Sequence, residues 1–163
     1  MTPSWLSTSL WISLYAVLWS YMEVEIEGKD GGWAKNLPSK KFFNTKFTWY
    51  HIIMNTIVIS TIAYSLFGRN SWEILFYIVG WFMIEDFVWF MINPGFGWSK
   101  YTKKDIWWHA EQPWIFGMPL HNYICVFLLC GSGYLSGNKE LVKSGLVFAS
   151  TIGSYVLYSV GYN

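Results

Sequence analysis

The sequence predicts an all-α fold, a polytopic transmembrane bundle of about five helices. Three observations lead there. Residues of the AVILMFWYC class make up 53% of the chain and charged residues only 13%, too few to solvate the surface of an ordinary soluble domain. The 163 residues suffice for one domain and not for two, so 1–163 reads as a single transmembrane domain. Apolar stretches of roughly 17 to 25 residues, the length that crosses a hydrocarbon core, recur along it.

These stretches run from Trp5 to Met22, Tyr50 to Phe67, Trp72 to Ile92, Ile115 to Leu135 and Leu141 to Val160. The first has no Lys or Arg before it and no small-residue cleavage pattern after it, which predicts a retained helix rather than a signal peptide. Between the spans lie a long polar loop from Glu23 to Trp49, a tight turn at Gly68 to Ser71, a second long loop from Asn93 to Trp114 and a short one around Gly137. Five spans put both long loops and the C-terminus on one side. Lys29, Lys35, Lys40, Lys41, Lys46, Lys100, Lys103 and Lys104 fall there, against Arg69, Lys139 and Lys143 on the other. That excess predicts a multi-pass protein of the cell membrane with its N-terminus outside and its C-terminus cytoplasmic.

Eleven Lys and Arg against 10 Asp and Glu give a net charge of +1, which offers no electrostatic footprint for nucleic acid. Cys125 and Cys130 both sit inside an apolar run, where a disulfide framework is not expected. Aromatic residues reach 21%, and pairs such as Trp49-Tyr50 and Trp107-Trp108 at span ends read as interfacial anchors. Trp81 and Trp89 lie deeper, four residues to either side of Glu85; they either line an apolar slot or fill the core. In the last span Gly145, Ala149 and Gly153 recur every four residues, a smooth ridge for a helix-packing partner.

The third span carries Glu85 and Asp86 seven or eight residues before Asn93, roughly 10 to 12 Å inside the helix end. A carboxylate at that depth costs several kcal/mol unless neutralised, paired or bound to a cation. The two point about 100° apart, so one faces the bundle interior while the other meets a neighbouring helix. A protonated pair bonded to hydroxyls of other spans is the structural alternative. At the end of the first span, a helix reaching Gly28 sets Glu23 and Glu27 on one face at the negative end of the dipole. Both effects are unfavourable and call for a nearby cation, which Lys29, Lys35 or Lys40 would supply at a solvated surface.

The histidines His51, His109 and His121 all fall toward the predicted cytoplasmic side, as do Glu23, Glu25, Glu27, Glu85 and Asp86. Imidazoles and carboxylates at one depth suit a divalent metal such as zinc, iron or copper; independent interfacial histidines are the alternative. The expected ligands are His51, Glu85, His109 and His121, with Asp86 and Glu27 as catalytic acid/base or extra ligand. Sharper motifs fail. His109-Ala-Glu111 lacks the Pro-Cys-x-x-Cys of zinc deaminases, the paired-histidine boxes of membrane di-iron desaturases are absent, His-Glu-x-x-His is absent, and Gly28-Lys-Asp-Gly-Gly32 lacks the Lys-Ser/Thr of a P-loop. Asp105-x-x-x-His109 followed by His121 is faintly similar to the ligand spacing in the C subunit of copper membrane monooxygenases, with a different loop length.

The strings Glu25-Ile-Glu-Gly, Gly32-Trp-Ala-Lys-Asn-Leu-Pro38, Glu85-Asp-Phe-Val-Trp-Phe, Asn93-Pro94 and Trp107-Trp-His109 together resemble an uncharacterised family of small prokaryotic multi-pass membrane proteins. The resemblance spans most of the chain and implies a membrane location, but no role for any residue.

Two classes of function stand open. One is a membrane-embedded, metal-dependent hydrolase or oxidoreductase acting on a lipid or isoprenoid that enters from the bilayer. Its metal-free variant is an isoprenoid cyclase in which protonated Glu85 or Asp86 donates to an alkene and Trp81 and Trp89 stabilise the cation. The other is a non-catalytic subunit packed into a larger membrane complex through the Gly145 ridge. A solute transporter ranks third, for want of an inverted repeat.

Overall fold

The computed structural model describes residues 4–28, 39–42, 45–97, 100–106 and 112–161. It is a helical protein. The helices are α1 (Trp5–Glu27), α2 (Trp49–Ser65), α3 (Ser71–Ile92), α4 (Leu120–Leu135) and α5 (Lys139–Gly161), with two small antiparallel hairpins, β1 (Ser39–Phe42) with β2 (Thr45–Thr48) and β3 (Trp114–Ile115) with β4 (Met118–Pro119). Each predicted span thus corresponds to a helix. Among the described residues α3 is the one helix long and apolar enough to cross a membrane, with mean hydropathy 1.7; α4 is apolar but shorter.

Local chemistry sets the ends. Ser4 caps α1 by accepting from the Ser7 amide, and Gly28 ends it in a left-handed conformation at φ 55°, its amide bonded to the Val24 carbonyl. The helix therefore runs more than a turn past the predicted end at Met22 and carries Glu23 and Glu27 with it. Asn70 caps α3 by accepting from the Trp72 amide at 2.8 Å, and Glu73 in the first turn suits the positive end of the dipole.

Two boundaries differ from expectation. The loop predicted from Glu23 to Trp49 contains the β1–β2 hairpin, in which Ser39 pairs with Thr48 and Phe42 with Thr45. The fourth helix starts at Leu120, five residues later than the predicted Ile115, because β3–β4 turns through Phe116 at φ 46° and Gly117 at φ 77°. Consecutive left-handed residues are what a two-residue hairpin turn requires. Phe116 is an unusual choice for one, which hid the turn inside an apolar run.

Packing centres on α3, against which α1, α2 and α4 all lie, while α5 packs on α4. The α1 face buries Thr8, Ile12, Ala16 and Ser20, a strict four-residue stripe of mostly small side chains that allows close approach to α3. One cluster gathers Ile12, Ala16, Val58, Ile62, Phe76, Tyr77, Trp81, Leu129 and Leu141. A second holds Trp89, Phe90, Tyr101, Ile106 and Met118. Glu85 lies on α3 between Trp81 of the first and Trp89 of the second. At one end of the bundle Arg69 reaches Thr8 at 3.2 Å and Glu73 at 3.4 Å, and Asn138 donates to Glu73 at 3.2 Å, so the α2–α3 and α4–α5 turns are tied to the start of α1. At the other, Asn93 Nδ2 donates to the Gly28 carbonyl at 2.8 Å and joins the ends of α1 and α3.

Candidate acid site between the first three helices

The carboxyl-rich end of α1 meets the middle of α3 and the start of α2. Ser20, fully buried, sits about one turn before Glu23: its hydroxyl oxygen lies 2.9 Å from both the Ala16 and the Glu85 carbonyl oxygens, which share its one proton. That contact fixes the height of Glu85 against α1. Glu23, one turn nearer the end of α1 than Trp19, accepts from Trp19 Nε1 at 3.3 Å and stands beside Glu85 of α3. An ionised carboxylate only accepts, so two carboxyl groups side by side can bond each other only when one of them carries a proton. Glu85 is 9% exposed, and its Oε1 has no hydrogen-bond partner among the described residues.

A further turn along α1, Glu27 Oε1 lies 3.2 Å from Nε2 of His51 at the start of α2. His51 thus meets the Glu23–Glu27 face from α2; Lys29 and Lys35 lie outside the described residues. Tyr50 is buried beside it, within electrostatic reach of Glu23, Glu27 and Glu85. Trp19 and Trp81 meet edge to face at 5.9 Å, and Tyr15 and Phe82 close on Trp81 from other directions. Trp81 is therefore core, 1% exposed, and its indole Nε1 has no partner among the described residues.

Asp86 turns the other way. It lines a cavity of about 20 Å³ with Met83, Phe87, Tyr101, Met118 and Asn122, room for about one water molecule, on the side of α3 where α4 packs. His121 belongs to that side too. It stands in the first turn of α4 rather than two turns into it, and its Nδ1 lies 2.8 Å from Gln112 Oε1. Of the expected ligands, His51 thus stands at the start of α2 against Glu27 of α1, Glu85 in α3 and His121 in the first turn of α4. His109 lies outside the described residues. Among the described residues, which do not include His109, no group of three or more His, Cys, Asp and Glu side chains stands together to hold a metal ion.

Sequence reasoning passed over Ser20, Trp19 and Tyr50. For Ser20 a signal existed, because it continues the stripe of Thr8, Ile12 and Ala16. The Gly145 ridge is in part internal: a Cβ added there would stand 3.4 Å from Cys130 of α4, whereas one added at Gly153 meets nothing within 4 Å. No family model, curated protein or solved structure matches this chain.

Proposed function

We propose that the chain is a multi-pass protein of the cell membrane, of the small prokaryotic family it resembles, and that it works as a metal-free acid catalyst on an isoprenoid lipid. The apolar side chains that face outward support the membrane reading: Leu10, Leu14 and Leu18 on α1, Ile53 and Ile57 on α2, Phe127 on α4, and Leu146 and Val147 on α5. Outward apolar surface on so many helices suits lipid far better than water. The charge asymmetry of the loops sets the N-terminus outside and the C-terminus in the cytoplasm.

One observation carries the chemistry: Glu85 is a buried acid beside Glu23, and its Oε1 has no hydrogen-bond partner among the described residues. In the reaction the O–H bond of Glu85 breaks, its proton and the alkene electron pair form a C–H bond, and a tertiary carbocation and the Glu85 carboxylate remain. A second double bond of the same lipid attacks the cation, a proton leaves to water, and the product is an isomer of the substrate. The aromatic rings near the acid pair, Trp19, Tyr50 and Trp89, offer faces that favour a cation in a dry site.

The test uses protein reconstituted in phosphatidylcholine vesicles that contain an all-trans polyprenol. Mass spectrometry of the extracted lipid should show an isomer of unchanged mass, formed by the wild type and not by Glu85→Gln. Unaltered polyprenol with both proteins contradicts the reading.

The second reading, a non-catalytic subunit, draws on the exposed, uncovered Gly153 of α5. A partner helix seated there would be lost from the purified assembly with Gly153→Leu and kept with Gly131→Leu.

A further inference from the structure

We infer that His51 is the port through which Glu85 regains its proton, held in place by Glu27 and connected inward through Glu23. The inference rests on the reading of Glu85 as the proton donor, which must be recharged after every turnover.

Burial falls in order along these groups. The His51 side chain is 34% exposed and that of Glu27 17%, while Glu85 is 9% exposed and lies between Trp81 and Trp89. Contacts follow the same order. His51 Nε2 meets Glu27 Oε1 at 3.2 Å; Glu27 and Glu23 share one face of α1 at a four-residue spacing; Glu23 stands beside Glu85, whose carbonyl is bonded by Ser20, one turn before Glu23 on α1. Among the described residues Glu27 and Glu23 face His51 from α1 and Tyr50 from its own helix, with Glu85 of α3 one step deeper.

Histidine suits such a port because its two ring nitrogens can take a proton on one side and release it on the other. The transfers balance without any oxidant or reductant. Imidazolium gives an N–H proton to the carboxylates of α1, Glu23 passes an O–H proton to the Glu85 carboxylate, and neutral His51 takes a proton from water. A purely structural His51 would clamp α2 to α1 through Glu27 and nothing more.

Infrared spectroscopy of the full chain in phosphatidylcholine vesicles separates these roles without any substrate. Glu85 should contribute a protonated-carboxyl C=O stretch that Glu85→Gln lacks, and transfer to D2O should shift it as its proton exchanges. His51→Gln keeps a hydrogen bond to Glu27 but does not relay protons; it should slow that exchange by about tenfold or more, and added imidazole should restore it. Glu27→Gln, whose amide can hold the imidazole but cannot take up its proton, is the second variant and should slow exchange as well. An unchanged exchange rate in both variants, with the Glu85 band intact, overturns the port and leaves the donor standing. Slow exchange that imidazole does not restore assigns His51 a structural role and overturns the port too. Absence of any Glu85 band in the wild type overturns the donor, and the port with it.

Discussion

Glu85 and Asp86 are neighbours in the chain and face different helices: Glu85 stands beside Glu23 of α1, while Asp86 lines a cavity with Asn122 of α4. The helical offset of about 100° per residue makes this division unavoidable once α1 and α4 both pack on α3. It gives two acids in sequence two separate environments.

The first prediction follows from that division. Glu85→Gln should abolish turnover of the polyprenol, whereas Asp86→Asn should retain most of it, because only Glu85 belongs to the acid pair. Rates measured in vesicles with equal amounts of folded protein decide this. The reverse order of effects places the acid on the α4 face.

A second concerns Ser20. It is fully buried and bonded to the Glu85 carbonyl, so Ser20→Ala should cost about 0.5–1.5 kcal/mol of stability. Ser20→Leu should cost more, about 1–3 kcal/mol, and should also separate Glu23 from Glu85. Thermal unfolding in detergent gives the ranking, and Glu85→Gln added to Ser20→Leu should then have little further effect on activity.

Glycines of α4 supply a third. A Cβ at Gly133 would stand 3.2 Å from the Leu141 backbone and 3.4 Å from Phe76, whereas at Gly131 it meets nothing within 4 Å. Gly133→Ala should therefore destabilise, by about 1–3 kcal/mol, while Gly131→Ala should be neutral or stabilise by up to about 1 kcal/mol through helix propensity. Equal unfolding temperatures for the two variants contradict the described α4–α5 contact.

Topology supplies the fourth. A reporter joined after Asn163 should behave as cytoplasmic and one inserted at Gly137 as external. A reversed pair of signals would invert the bundle and set the His51 port on the outer face.

Much of the helical order was legible in the sequence because apolar runs between polar loops have few other ways to fold. Trp5, Ser71 to Ile92 and the C-terminal run were placed within a residue or two of the helices. The late start of α4 was not legible, since Trp114 to Met118 is as apolar as a span and its turn rests on Phe116, a residue that rarely takes positive φ. The depth of Glu85 between Trp81 and Trp89 was visible from periodicity alone. Its partner was not: the extension of α1 to Gly28 brings Glu23 to Glu85 and Glu27 to His51, and only the packing of α1 on α3 reveals which carboxylates meet. That His51 and His121 both fall near one end of their helices was legible, while what each ring meets, Glu27 and Gln112, is set by the packing.

Deuterium labelling tests the central claim, proton donation by Glu85, most directly. Wild-type protein in vesicles with the polyprenol, transferred to D2O, should yield an isomer carrying deuterium on carbon at the position where the alkene was protonated, and Glu85→Gln should yield none. An isomer free of deuterium, or labelled product at the wild-type rate from Glu85→Gln, would contradict the account.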